Sequence, residues 1–232
     1  MNPVKINRKE LSKCFWNRIF TNSSGWVEER FILYKITNEL ETLIKEATKP
    51  TGSIPPFTIF ALYALTRYLQ PDYILEIGTY IGKSTLAMAY ALDKKESSTE
   101  IHTCDFSNSI KLINKTTTPI IQYNGVSTFM IEQLLDKNMT FTMLNIDGRF
   151  PSEDIDNLLK IIDINETVIC LDDFEASEKG LINYQVFLDS NKFNNHALIY
   201  PPEDYLIKEL SFTGNSTMAV LVPQNLIQFV RQ

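Results

Sequence analysis

The chain has 232 residues, a mass of 26.7 kDa and a formal net charge of −6, with 44% hydrophobic and 22% charged residues. That length fits one domain with a substantial core, and the composition is that of a folded protein rather than a disordered one. An acidic balance, with a pI near 5.1 and no Lys/Arg block, offers nothing to displace the counterions of a nucleic acid; it argues against a nucleic-acid partner and for a small-molecule one.

In chain order, residues 1–25 end in the turn-like TNSSG and are predicted to be a loosely attached arm. The basic N-terminus lacks the continuous apolar stretch of a signal peptide, and no segment has the roughly 20 apolar residues needed to span a bilayer. A cytoplasmic protein without a membrane partner is the expectation. From Val27 to Ala47, Ile32, Ile36, Leu40, Leu43 and Ala47 recur at helical spacing and predict a helix. KPTGSIPP is a linker that divides a helical extension, residues 1–54, from a main unit, residues 55–232. A second helix is predicted from Phe57 to Leu69, stopped by Pro71, with Phe57, Phe60, Ala61, Ala64, Leu65 and Tyr68 on its packing face.

After Tyr73 the chain alternates strand and helix. Strands are predicted at 73–77, 101–105, 119–122, 140–146, 167–171, 196–200 and 217–222, and helices at 83–92, 108–114, 127–137, 152–162 and 178–190. This alternation predicts an α/β fold with a doubly wound, mainly parallel sheet of seven strands. No helix is predicted between the last two strands, so the final strand is expected to run antiparallel. The three cysteines, Cys14, Cys104 and Cys170, form no C-x-x-C pair and read as small buried hydrophobes.

The stretch YILEIGTYIGKSTLAMAYAL, Tyr73 to Leu92, is a strand, a glycine turn and a helix. In such a crossover, ligands bind beyond the carboxyl ends of the strands, near the positive end of the helix. The G-x-G-x-x-G of dinucleotide binders is broken by Tyr80. The phosphate loop G-x-x-x-x-G-K-[ST] is one residue too long for Gly78 to Ser84, and Glu76 would add negative charge near a polyanion. Acids recur at the other strand ends: Asp105, Asp147, and Asp172 with Asp173. Asp105 follows the glycine turn at the interval where a carboxylate meets ribose hydroxyls; capping of the next helix is its other reading.

The pattern acid-x-G-x-x-x-G from Glu76 to Gly82 resembles motif I of class I S-adenosylmethionine-dependent methyltransferases, whose cofactor carries an ammonium suited to an acidic strand end. The segments FTMLNIDGRF and TVICLDDFE are similar to the paired motifs of the metal-dependent small-molecule O-methyltransferases. The resemblance implies a Rossmann-like methyltransferase fold and S-adenosylmethionine (SAM) as cofactor, contacted by Glu76, Gly78, Thr79, Tyr80, Gly82, Ser84, Asp105, Phe106, Gly125, Ser127 and Asp147. It places Ser127 beside the adenine, although Ser127 also reads as a helix cap. It further implies Mg²⁺ on Asp147, Asp172 and Asp173, hard oxygen donors that suit such an ion, and O-methylation of a small hydroxylated acceptor.

The chain departs from that family at Phe150, where a His or Lys general base is common. Arg149 stays protonated and cannot substitute as a base; its readings are binding of an anionic or hydroxylated acceptor, or a surface ion pair. His102 lies within a strand and His196 begins one, so neither is nominated, and of the catalytic set only Asp147 and Arg149 are named. Two other readings stay open: a P-loop-like nucleotide hydrolase or kinase, for which Lys83-Ser84 and VICLDD speak, and a catalytically silent cofactor-binding protein, for which Phe150 speaks. Self-association into a homo-oligomer is also open.

Overall fold

A computed structural model describes residues 7–22, 54–93, 99–107, 116–174, 179–203 and 216–228. The predicted helices 27–47 and 108–114, and residues 204–215 of the last loop, lie outside the described residues.

Seven short apolar runs pair into one sheet: β1 (Tyr73–Ile77), β2 (Glu100–Asp105), β3 (Ile120–Asn124), β4 (Met143–Ile146), β5 (Val168–Leu171), β6 (His196–Ile199) and β7 (Ala219–Pro223). Their order is β3-β2-β1-β4-β5-β7-β6. The first five are parallel, and β7 is antiparallel to both of its neighbours, as expected for the final strand. The reversal of order on either side of β1 creates the switch point at which ligands enter such sheets. The register sets Ile77 beside Cys104 and Ile146, and Ile146 beside Leu171. The carboxyl ends of β1, β2, β4 and β5 therefore stand in one row.

The helices are α1 (Arg8–Asn22), α2 (Pro56–Leu69), α3 (Lys83–Leu92), α4 (Ser127–Leu134), α5 (Ile155–Leu158, after a 3-10 turn at Ser152–Asp154), α6 (Gly180–Asp189) and α7 (Gln224–Gln228). Successive strand residues face opposite sides, so Ile74 joins one core with Trp16, Phe60 and Met88, while Leu75 and Ile77 join the other with Met130, Leu158 and Phe187. Both faces of the sheet are covered. Among the described residues no helix is long and apolar enough to cross a membrane.

The N-terminal segment is not the loose arm that its polar composition predicts. Phe15, Trp16, Ile19 and Phe20 recur at i, i+1, i+4 and i+5, which gathers them on one face of α1, and all four are buried. Trp16 stacks on Phe20, and Phe20 on Phe60 of α2. The Trp16 indole N–H donates to the Tyr200 carbonyl at 2.7 Å, and the Tyr200 N–H to the Ser12 hydroxyl at 2.9 Å. Each such buried side chain contributes roughly 1.5–3 kcal/mol, which fastens α1 to the end of β6. Cys14 falls on the opposite face and is exposed, contrary to the expectation of burial, whereas Cys104 and Cys170 are buried. The predicted helix 152–162 is shorter than its pattern, because after Leu158 the chain turns back and Phe141 forms a bridge to Ile162.

Candidate ligand site at the strand ends

The turn after β1 is shaped by its neighbours as much as by any ligand. Gly78 has φ +96°, and a Cβ there would lie 2.6 Å from the Gly148 nitrogen and 2.8 Å from the Asp147 carbonyl carbon. Only glycine lets the turns after β1 and β4 touch. Gly78 and Thr79 donate their N–H groups to the Cys104 carbonyl, Tyr80 donates to Asp105 Oδ2 at 2.6 Å, and Gly82 donates to the Thr79 carbonyl. Four amides of the turn are thus satisfied within the protein. They do not form the open nest that cradles a phosphate, which speaks against the P-loop reading. Gly82, with φ +89°, caps α3.

Glu76 lies beneath this turn, fully buried. Its carboxylate accepts hydrogen bonds from the hydroxyls of Thr85 and Thr103 and from the Asn145 side-chain amide, and Ser84 adds another. Burial raises its pKa, with those bonds opposing the rise. Glu76 and the buried Ser84 therefore brace β1, β2, β4 and α3 from below, and neither carries exposed surface toward the row of strand ends. Thr79 is buried as well, with its hydroxyl on Thr103.

Asp105 is half-buried at the end of β2. Besides Tyr80 it accepts the N–H and the hydroxyl of Ser107, at 2.7 and 2.6 Å. Asp105 thus caps its own loop, while the next helix it was expected to cap lies outside the described residues; these bonds leave an open acceptor site on Oδ2. The next residue, Phe106, is 85% exposed. Gly125 donates its N–H to the Asp105 carbonyl, and Val126 and Phe129 beside it are also exposed. A carboxylate thus adjoins an apolar shelf spanning two strand ends. Ser127 is buried and donates to Asp154 Oδ2 at 2.7 Å, joined there by Thr128 at 3.1 Å. It is the first residue of α4, whose cap position is Val126, so it is not the helix cap.

On the other flank, Asp147 and Asp173 meet across Lys179, and Asp172 is near enough for its charge to act on Asp147. Their surroundings are those of a filled charge cluster. Lys179, just before α6, sets its ammonium 3.2 Å from Asp147 Oδ1 and 3.4 Å from Asp173 Oδ2. Asp172 turns inward and accepts the Thr217 hydroxyl at 2.7 Å. Burial and then the Asp172 charge push Asp147 up to about 8, with Lys179 opposing. Lys179 itself is raised: burial works against its charge, and Asp147 and Asp173 outweigh it. Among the described residues no group of three His, Cys, Asp or Glu is arranged to hold a metal ion. The three aspartates do not fit the implied Mg²⁺ as they stand, because one carboxylate is committed to Thr217, ahead of β7, and an ammonium bridges the other two.

Phe150, where a base is common in the resembling family, is buried and stacked on Phe187. The site therefore has no side chain at that position. Arg149 is exposed. Tyr123 and Phe174 are buried, and His102 is buried against the Tyr123 hydroxyl. Burial also pushes the Cys104 thiol up to about 12, which makes it inert.

Sequence reasoning missed Lys179, Asn183, Thr217 and Asp154. Asn183 of α6, fully buried, donates to the Gly148 carbonyl at 2.8 Å and accepts the Phe150 N–H at 3.0 Å. Gly180 packs so tightly that a Cβ would collide with the Phe174 backbone. The glycine one residue after Lys179 was the one local signal that this lysine is held against β5.

No protein-family model and no curated relative matches the sequence. Solved structures do match in fold. An O-methyltransferase from Bacillus cereus in complex with S-adenosylhomocysteine (SAH) superposes with a TM-score of 0.60 at 15% identity, covering 81% of this chain and 90% of that one. The O-methyltransferase TomG from Streptomyces achromogenes, in complex with SAM, gives 0.57 at 17% identity, covering 82% and 88%. The SAH-bound methyltransferase PaMTH1 from Podospora anserina gives 0.57 at 12% identity, covering 96% and 99%. The chain shares its fold with these methyltransferases.

Proposed function

We propose that this chain is a SAM-dependent methyltransferase acting on an oxygen of a small hydroxylated acceptor. The observation that carries the reading is the pairing, at the switch point of the sheet, of Asp105 with the exposed Phe106 beside a glycine turn whose amides face inward. A carboxylate with spare acceptor capacity suits a vicinal diol, and an apolar shelf suits a purine face. The turned-in amides disfavour a polyphosphate. The SAM- and SAH-bound neighbours in fold support the same reading.

When bound, SAM supplies an electrophilic methyl group on a sulfonium centre. The chain's own residues have to hold and align the two reactants, since alignment is the chief requirement of such a transfer. Asp105 would hold the nucleoside beside the turn of Gly78 and Tyr80, with Phe106, Val126 and Phe129 beneath the base. Glu76 and Ser84 keep the turn in place from below. The acceptor would lie over the Asp147–Lys179–Asp173 cluster, where the exposed Arg149 offers a second cation to an anionic or hydroxylated molecule.

Thermal denaturation with added ligands tests the assignment. SAH should raise the melting temperature and Mg-ATP should leave it unchanged; the opposite pattern would return the protein to the nucleotide hydrolases. Turnover of labelled SAM over a panel of phenols, sugars and hydroxy acids separates an enzyme from a silent cofactor binder.

A further inference from the structure

The acidic flank of the cleft carries an inference that rests on this reading of the site and deepens it. A divalent ion at such a strand end needs several carboxylate oxygens free to turn toward it. Here the two carboxylates that could do so, those of Asp147 and Asp173, already share the Lys179 ammonium at 3.2 and 3.4 Å. The third, that of Asp172, is buried and accepts the Thr217 hydroxyl.

Lys179 is not a surface lysine that happens to lean this way. Gly180 fixes its backbone by direct packing on the Phe174 backbone and the Asp172 carbonyl. Three residues further, Asn183 pins the turn carrying Asp147 through Gly148 and Phe150. Acids and lysine are thus held by one interlocked unit, as a preorganised site requires. A divalent cation added to the same two oxygens would stand within a few ångströms of the ammonium, and that repulsion is strong in a half-buried setting.

We propose that Lys179 is the resident cation of this site: its ammonium, clamped between Asp147 and Asp173, occupies the place a divalent metal would need and orients the acceptor oxygen in its stead. An ammonium has three N–H donors, and the two aspartates take two of them. The third is left for an oxygen of the acceptor. Lys179 is then a positioning residue, and methyl transfer proceeds without added metal.

Metal binding, read apart from turnover, tests the proposal. The full chain is titrated with Mn²⁺ and free ion is followed by electron paramagnetic resonance, for the wild type, Lys179→Met and Lys179→Arg. The wild type should show no saturable site at submillimolar Mn²⁺. Lys179→Met, which keeps the side-chain length and removes the charge, should bind Mn²⁺ at least about tenfold more tightly than the wild type, because the ammonium that repels the ion from Asp147 and Asp173 is gone. Lys179→Arg should behave as the wild type. Stoichiometric Mn²⁺ binding by the wild type would overturn the proposal even if no variant folds, and so would a folded Lys179→Met protein with no gain. SAH-induced stabilisation, measured on the same samples, keeps the two questions apart: its absence would count against the methyltransferase reading and leave the metal result standing.

Discussion

On the β1–β2 side of the cleft, polar groups close on partners in the same crossover: Glu76 on Thr85 and Thr103, Asp105 on Tyr80 and Ser107. On the β4–β5 side they close on partners brought from elsewhere in the chain: Asp147 and Asp173 on Lys179, Asp172 on Thr217, and the turn after β4 on Asn183. The first region is a cradle built mostly within one supersecondary unit, with Asn145 of β4 adding a bond to Glu76. The second exists only once α6 and β7 have docked. Damage to the turn and ligand-facing groups of the first should therefore weaken or abolish cofactor binding, whereas damage to the second should spare binding and lower turnover.

Gly78 lies where the two regions meet, and its substitution should have the largest effect. Gly78→Ala combines a left-handed backbone with a Cβ set against the backbone of Asp147 and Gly148. Strain and overpacking together should destabilise the protein by about 3 kcal/mol in chemical denaturation, and SAH binding should disappear in calorimetry. Retained SAH affinity would mean that the turn after β1 can move without harm, which would undo the contrast between rigid cradle and docked flank.

Asn183→Ala probes the second region alone. It leaves the Gly148 carbonyl and the Phe150 N–H without their buried partner, at a cost of about 2 kcal/mol. SAH affinity should stay within about twofold of the wild type, while turnover falls because Asp147 is no longer held. Equal losses in binding and turnover would show that the two flanks act as one unit.

The same contrast explains what was legible in the sequence. The sheet, the antiparallel last strand and the acids at the strand ends are written in local patterns: apolar runs of four to six residues, a glycine turn, an acid at the ends of β1, β2, β4 and β5. Asp105 and its turn could be read because both ends of the interaction belong to one crossover. Lys179 could not, since its role comes from the packing of Gly180 on Phe174, a contact between elements that no periodicity encodes. Glu76 illustrates a subtler point. Its position at the strand end suggests a ligand contact, but the alternation of side chains along β1 turns it inward beneath the turn, onto α3 and the adjoining strands. The loose-arm reading of α1 fails for a related reason, because whether the aromatics of a charged N-terminal segment are core depends on what packs against them.

Asp105→Asn sharpens the comparison from the cradle side. An amide keeps one acceptor oxygen where the carboxylate had two, so one of the bonds to Tyr80 or Ser107 is lost, along with the charge offered to a diol. SAH affinity should drop about tenfold. Unchanged affinity, with only a small loss of stability, would reduce Asp105 to a loop cap.

Glu76→Gln should have the smallest effect and the most specific one, visible only as a function of pH. The folded-state pKa of Glu76 is raised above its ordinary value of 4.5 by burial. Between 4.5 and the raised value the native state holds a proton that the unfolded chain has lost, so wild-type stability falls as pH rises through that window. Above the folded pKa the full penalty of a buried carboxylate is present, and below 4.5 it is absent. The substituted amide does not titrate, and one of its N–H donors can reach the Asn145 side-chain oxygen, which has no partner among the described residues, once that amide flips. The difference in stability, wild type minus variant, should thus grow on acidification from neutral pH, with a slope no steeper than about 1.4 kcal/mol per pH unit, and level off below 4.5. SAH affinity should be nearly unchanged, because Glu76 supports the turn from below without touching what lies above it. A large loss of affinity with a flat pH difference would instead put its carboxylate in direct contact with the cofactor and reverse the division between brace and cradle.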